Sequence, residues 1–237
     1  MTTFNVFRYD PAIDKCPKME TFDVKNERGM TVLEGLFYIL ENLDPTLCFR
    51  SSCRAAICGS CAMHINGQYR LACRTQIEHL KSDTVTVRPI AHSEIIKDLV
   101  VDMTNFFANL EKIKPYIINE GPFPEREFLQ SEGERKGLDH LIDCILCGCC
   151  YGACPSAGTD EDYLGPHALM KTLRFINDPR DKGGKERLAF VSSENGVFRC
   201  HTVFNCQEVC PKDLDPSSAI ARLKMKAVWN TLKNLVS

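Results

Sequence analysis

The sequence predicts an α+β chain in two parts: a small mixed sheet crossed by one helix over residues 1–100, and an all-helical part over 101–237. Three observations predict it. Apolar and polar residues alternate with period two through much of the first ninety positions. From about residue 93 the period becomes three to four. The 14 cysteines of the 237 residues are clustered, one group falling in the first part and two in the second.

The elements follow in order. TFNVFRY and METFDVK alternate apolar and polar positions with period two and read as strands. Thr31 and Glu34 form a capping box, and Leu33, Leu36, Phe37, Leu40 and Leu43 follow at helical spacing. CAMHINGQYRLAC holds Asn66-Gly67 between two short alternating arms, the signature of a type I′ hairpin. TVTVRPI is a strand that Pro89 ends. Beyond residue 93, Ile95, Ile96, Leu99, Val100, Met103, Phe106, Phe107 and Leu110 recur at helical spacing. GPFPERE (121–127) is a loop, and Pro166 marks a helix start. Asp215 as N-cap and Pro216 at the first helical position open a last helix carrying Ile220, Leu223, Ala227 and Val228.

Composition excludes several classes. At 44% hydrophobic and 25% charged, with net charge −2, the chain offers no basic patch for nucleic acid or anionic lipid. No apolar run approaches the roughly 18 residues needed to span a bilayer. The N-terminus shows neither a signal nor a transit pattern, so a start at or near Met1 and a reducing compartment are expected. Abundant cysteine in that setting points to metal rather than disulfides.

Cys53, Cys58 and Cys61 are spaced C-x4-C-x2-C, and Cys73 follows after eleven residues. This is the plant-type [2Fe–2S] ferredoxin spacing. The run SCRAAICGSC places Ala, Gly and Ser between the ligands, which lets backbone N–H groups approach sulfur. A zinc site, the competing reading, usually pairs two short C-x2-4-C units, and only one is present. Cys48 and Cys16 fall outside the pattern.

Cys144, Cys147, Cys150, Cys154 and Pro155 match C-x2-C-x2-C-x3-C-P, the bacterial two-cluster run, in which the fourth cysteine serves the other cluster. Cys149 interrupts that spacing and is the spare thiol. The mate is the group Cys200, Cys206, Cys210 with Pro211, whose middle position is Val203. Cys210 then completes a [4Fe–4S] centre with Cys144, Cys147 and Cys150. The other centre receives only Cys154, Cys200 and Cys206. Valine cannot ligate iron, so [3Fe–4S] is expected there; a [4Fe–4S] centre with an open corner is the alternative.

No phosphate loop, H-E-x-x-H or nucleophile elbow occurs. His201 directly follows Cys200 and is either a hydrogen-bond donor to the centre or a substrate contact. Three centres in one chain argue for an electron relay, and a relay without flavin-binding or membrane-spanning segments implies partner subunits.

With these residues in view, the chain resembles the iron–sulfur subunit of the succinate dehydrogenase and fumarate reductase family. The resemblance covers nearly the whole chain. It rests on RSSCRAAICGSCAMHING, LACRT, IKDLVVDMTNFF, IKPYI, CILCGCCYGACP, YLGPHAL, NDPRD and NGVFRCHTVFNCQEVCPKDLDP. It implies a β-grasp [2Fe–2S] domain followed by a helical two-cluster domain. It also implies a flavoprotein partner carrying FAD and the dicarboxylate site, so that this chain carries electrons and binds no succinate. A membrane anchor helping to form a quinone site beside the [3Fe–4S] centre is implied too, with Pro155, Ser156, His201 and Lys224 as this chain's contributions. The expected location is the cytoplasmic side of the inner membrane, attached through that anchor. The loop AGTDEDYLGP lacks the tryptophan that ubiquinone-reducing members often carry after the CPS motif, which permits a menaquinone partner. Fumarate reduction in the reverse direction, service to another flavoprotein dehydrogenase and a zinc-stapled interaction module are the other readings.

Overall fold

The computed structural model describes residues 1–236. Strand β1 (Thr2–Arg8) alternates as its sequence predicts, with Phe4 and Val6 wholly buried. Strand β2 (Lys18–Val24) pairs with it antiparallel, Thr2 opposite Val24 and Arg8 opposite Lys18. Helix α1 (Val32–Asn42) opens on the expected capping box. Thr31 Oγ1 accepts the Glu34 N–H at 3.2 Å, and the Glu34 carboxylate accepts the Thr31 N–H at 2.7 Å. The helix buries Val32, Leu33, Leu36 and Ile39. A Cβ on Gly35 would stand 2.3 Å from the Phe4 ring, so the close approach of helix to strand requires glycine there.

Strands β3 (Ala62–Ile65) and β4 (Gln68–Leu71) form the hairpin, with Asn66 at φ 45° and Gly67 at φ 86° supplying its two left-handed positions. Strand β5 (Thr84–Arg88) lies parallel to β1 and antiparallel to β3, giving the order β2-β1-β5-β3-β4.

Residues 95–101 depart from the helical spacing of their apolar side chains. They form a separate two-stranded ladder of β6 (Ile95–Lys97) and β7 (Val100–Val101). The turn is Asp98 at φ 48°. Its buried carboxylate accepts Arg8 Nε–H at 3.0 Å, the Tyr9 N–H at 3.0 Å and the Cys48 N–H at 2.9 Å. Three donors fixed by distant segments outweigh a local helical preference.

The rest is helical: α2 (Thr104–Lys112), α3 (Glu132–Lys136), α4 (Cys149–Gly152), α5 (Pro155–Thr159), α6 (Gly165–Ile176), α7 (Gly184–Val191), α8 (Asn205–Glu208) and α9 (Pro216–Val236). Pro166 lies in the first turn of α6, and Asp215 caps α9 by accepting the Ser218 N–H at 2.8 Å.

The chain divides into two compact units. The first holds 1–103 and 145–153; the second holds 104–144 and 154–237. Segment 145–153, with α4, thus groups with the sheet, although the sequence boundary near residue 100 places it in the second part. The second unit has no strand among its described residues. Its core sets α6 against α9, with Leu169, Leu173, Ile220 and Leu223 buried. Arg187 is wholly buried beside Asp181 at 2.6 Å and donates to the carbonyls of Ile113, Lys114 and Tyr116, which pins the IKPYI segment.

Candidate iron–sulfur sites

The loop before β3 carries Cys53, Cys58 and Cys61. Arg54 and Ala56, both at φ 55°, and Gly59 at φ 74° alternate with ordinary conformations, and this coils the chain around one point. The result is a cradle. Cys53 Sγ accepts N–H bonds from Ala55 at 3.3 Å, Ile57 at 3.4 Å and Cys58 at 3.3 Å. Cys58 Sγ accepts the Cys53 N–H at 3.5 Å and lies 2.9 Å from Ser60 Oγ. The bonds from Ala55, Cys58 and Ile57 hold the exposed Cys53 thiol down at about 6, in the thiolate range. Cys61 is the opposite case: burial, with Cys73 beside it, pushes its thiol up to about 12. A buried thiolate there needs a cationic partner, and iron is one. Gly59 is fixed by more than its φ, because a Cβ would meet the Cys147 backbone at 2.9 Å.

Of the second predicted ligand set, Cys147 and Cys150 lie in the first unit, and Cys144 and Cys210 in the second. Cys147 sits between Leu146 at φ 54° and Gly148 at φ 83°. Its thiol is held below the ordinary range, first by a hydrogen bond from the Cys149 side chain and also by the Cys149 backbone, against the effect of burial. Cys149 itself is fully buried.

The third site lies wholly in the second unit. Cys154, Cys200 and Cys206 line one narrow cleft together with Val203, which lies midway between Cys200 and Cys206 in the chain. Cys154 caps the short helix α5, and α8 carries Cys206. Burial pushes Cys206 up to about 12, with the charges of Cys154 and Cys200 adding to it. Cys154 is raised by burial first and then by Cys200. Thiols whose charges reach one another stand close together, a donor set suited to a soft metal centre. Thr202 at φ 57° and Phe204 at φ 67° bend the loop so that Val203 faces the cleft. Among the described residues, no three His, Cys, Asp or Glu side chains converge as ligands of one ion.

Pro155, Ser156 and His201 also line this cleft, with Ser217 and Ile220 of α9. Lys224 does not; its Nζ donates to the Cys200 carbonyl at 2.7 Å. Sequence reading missed Arg199 and Asp160, which form an ion pair at 2.8 Å beside the cleft. Their separation in the chain leaves no local signal that could have found them.

Comparisons with known proteins give the family. Residues 3–108 match the family described as a 2Fe-2S iron-sulfur cluster binding domain, and residues 140–214 match the 4Fe-4S dicluster domain. The protein is therefore an iron–sulfur protein of α+β architecture with one cluster domain at each end. Over 223 residues it is 44% identical to the succinate dehydrogenase iron-sulfur subunit of Paracoccus denitrificans, covering 93% of this chain and 86% of that one. Over 232 residues it is 43% identical to the subunit of the same name from Coxiella burnetii, covering 97% and 98%. The chain belongs to the family of succinate dehydrogenase iron–sulfur subunits, components of an oxidoreductase. It shares its fold with a chain of the Mycobacterium smegmatis Sdh1 complex in the apo form, at TM-score 0.88 and 24% identity, covering 97% of this chain and 96% of that one. No helix among the described residues is long and apolar enough to cross a membrane.

Proposed function

We propose that this chain carries electrons singly between the FAD of a flavoprotein partner and a quinone held with a membrane anchor. The observation that carries the proposal is the cleft in which Cys154, Cys200 and Cys206 meet Val203 instead of a fourth cysteine. When bound, iron–sulfur clusters supply reversible one-electron chemistry. Cys53, Cys58, Cys61 and Cys73 would hold [2Fe–2S]; Cys144, Cys147, Cys150 and Cys210 would hold [4Fe–4S]; Cys154, Cys200 and Cys206 would hold [3Fe–4S]. The donor sets fit: backbone N–H groups already point at Cys53 sulfur, and buried thiols at Cys61 and Cys206 await a cation.

The chain's own work is placement. The left-handed residues of the first loop aim N–H groups at sulfur, and the exposed Cys53 and Cys58 bring that site to the surface, where a flavoprotein can approach. Pro155, Ser156 and His201 line the cleft beside the three-cysteine centre, where a quinone headgroup would meet an imidazole and a hydroxyl. A β-grasp reading of the first unit is supported by the parallel β1–β5 pair at its centre and by α1 lying against β1. The relatives' names support the succinate-oxidising direction over fumarate reduction. Attachment would be on the cytoplasmic side of the inner membrane, through the anchor.

Purifying the complex from native membranes and assaying succinate oxidation with ubiquinone and menaquinone analogues tests the proposal. Reduction of one analogue, with three distinct paramagnetic centres, is expected. A colourless chain, or one without a covalent-flavin partner, would contradict it.

A further inference from the structure

Two sulfurs of the first loop are held differently. The contacts on Cys53 Sγ come from the backbone of Ala55, Ile57 and Cys58, where any residue but proline supplies an N–H. Cys58 Sγ has a long bond from the Cys53 N–H, at 3.5 Å, and a short contact with a side chain, Ser60 Oγ at 2.9 Å. The backbone around Ser60 is fixed on both sides. Before it, Gly59 packs so closely on Cys147 that a Cβ would stand 2.9 Å from the Cys147 Cα. After it, the Cys61 carbonyl accepts the Ala72 N–H at 3.0 Å. The Ala62 N–H closes a turn on the Gly59 carbonyl at 3.2 Å, and Ala62 opens β3, which pairs with β4. With both flanks held, the rotamer of Ser60 alone decides where its hydroxyl stands, and it stands at the sulfur.

We infer that the Ser60 hydroxyl donates a hydrogen bond to the bound Cys58 thiolate and raises the reduction potential of the centre in this loop. The inference rests on the ligand assignment proposed above. In the free thiol either atom can donate. A thiolate bound to iron carries no proton, so the hydroxyl is then the donor. A hydrogen bond to a charged acceptor is among the stronger ones. One-electron reduction, by the flavoprotein partner of the proposed relay, adds one negative charge to the centre and strengthens that bond. The hydroxyl therefore favours the reduced form. Because a side chain makes this bond, one substitution removes it and leaves the backbone bonds on Cys53 in place.

The test uses the intact complex with Ser60→Ala and Ser60→Thr. It is read by redox titration of each paramagnetic centre, and by pulsed electron resonance of the reduced [2Fe–2S] centre after exchange into deuterated water. In Ser60→Ala, the one-electron equilibrium of the centre ligated by Cys58 is expected to shift toward the oxidised form by about tenfold, which is about 59 mV. One exchangeable deuteron beside the centre is expected to vanish with it, and the other two potentials to stay in place. Ser60→Thr keeps the hydroxyl and is expected to keep both the potential and the deuteron. A potential unmoved in Ser60→Ala, or a potential that does not follow the deuteron in either variant, overturns the inference. Should the alanine variant lose its iron, Ser60→Gly reads the same loss of hydroxyl; loss of the centre from both would make Ser60 a structural residue and overturn the inference too. Failure of the ligand assignment reads differently: Cys58→Ala then leaves the [2Fe–2S] signal intact. The hydroxyl is in that case tested on whichever signal Cys58→Ala abolishes, and abolition of none overturns the inference as well.

Discussion

The loop at residues 53–61 and the cleft at Cys154, Cys200 and Cys206 solve the same problem by different means. In the loop the backbone supplies the surroundings. Three N–H groups converge on Cys53 because Arg54, Ala56 and Gly59 adopt left-handed conformations, and Ser60 Oγ lies 2.9 Å from Cys58 Sγ. In the cleft, side chains from separate elements do that work: Ser156 and Asp160 hold Arg199, Lys224 holds Cys200, and Val203 lines the wall between Cys200 and Cys206. The difference teaches where each site is vulnerable. The first should fail when a backbone conformation is denied, and the second when a particular side chain is exchanged.

The largest effect is expected from Cys61→Ala. It removes one of four thiolates from the buried corner of the loop while the cleft keeps all its own. The [2Fe–2S] signal should vanish alone; loss of all three signals would show that the two units do not assemble their centres independently.

Gly59→Ala sharpens the contrast next. It imposes a side chain at φ 74° and drives a methyl to 2.9 Å from the Cys147 backbone. Left-handed strain and a clash with immovable atoms together should destabilise the first unit by about 2–4 kcal/mol, seen in chemical denaturation. Ser60→Ala in the same loop should change stability by less than about 1 kcal/mol.

A pH difference between the units follows from His167. It is fully buried in α6, stacked on Phe106 at 3.7 Å, and its Nε2 lies 2.9 Å from the Phe106 carbonyl oxygen. Burial, partly offset by that contact, pulls it from 6.5 down to about 4. The folded form therefore binds a proton less readily than the unfolded chain. This contribution is complete above pH 6.5 and is lost as pH falls toward 4. The gap of about 2.5 pH units, at about 1.36 kcal/mol each, amounts to about 3 kcal/mol. Hydrogen exchange at pH 7 and pH 5 should show protection lost around α6, and His167→Gln should flatten the dependence.

The smallest effect is expected from Cys149→Ser. Its hydroxyl can still donate to Cys147, so iron content and all three signals should persist with under about 1 kcal/mol lost. Disappearance of the [4Fe–4S] signal would make Cys149 a ligand.

What the sequence disclosed was local. The Thr31–Glu34 box, the Asn66-Gly67 turn and the Asp215-Pro216 helix start each act within a few residues and were legible. The cysteine spacings pointed to cluster binding for the same reason, and the two family matches bear that out. Residues 95–101 were misleading because Asp98 is held by Arg8, Tyr9 and Cys48, far away in the chain, and no periodicity reports that. The cradle on Cys53 was hidden because Arg54 and Ala56 are not residues that announce a positive φ. The Lys224–Cys200 and Arg199–Asp160 pairs were hidden because side-chain pairing across separate elements leaves no spacing to count.

The central claim is that the cleft lacks one thiolate because residue 203 is valine. Val203→Cys in the intact complex, read by iron count and by the oxidised-state signal, tests it most directly. The exchange is close in volume, so packing should tolerate it. The account predicts one more iron per chain, loss of the [3Fe–4S] signal, and a lower potential that slows quinone reduction by succinate. An unchanged iron count with the [3Fe–4S] signal intact would contradict it, and the pairing of the second and third cysteine groups would have to be redrawn.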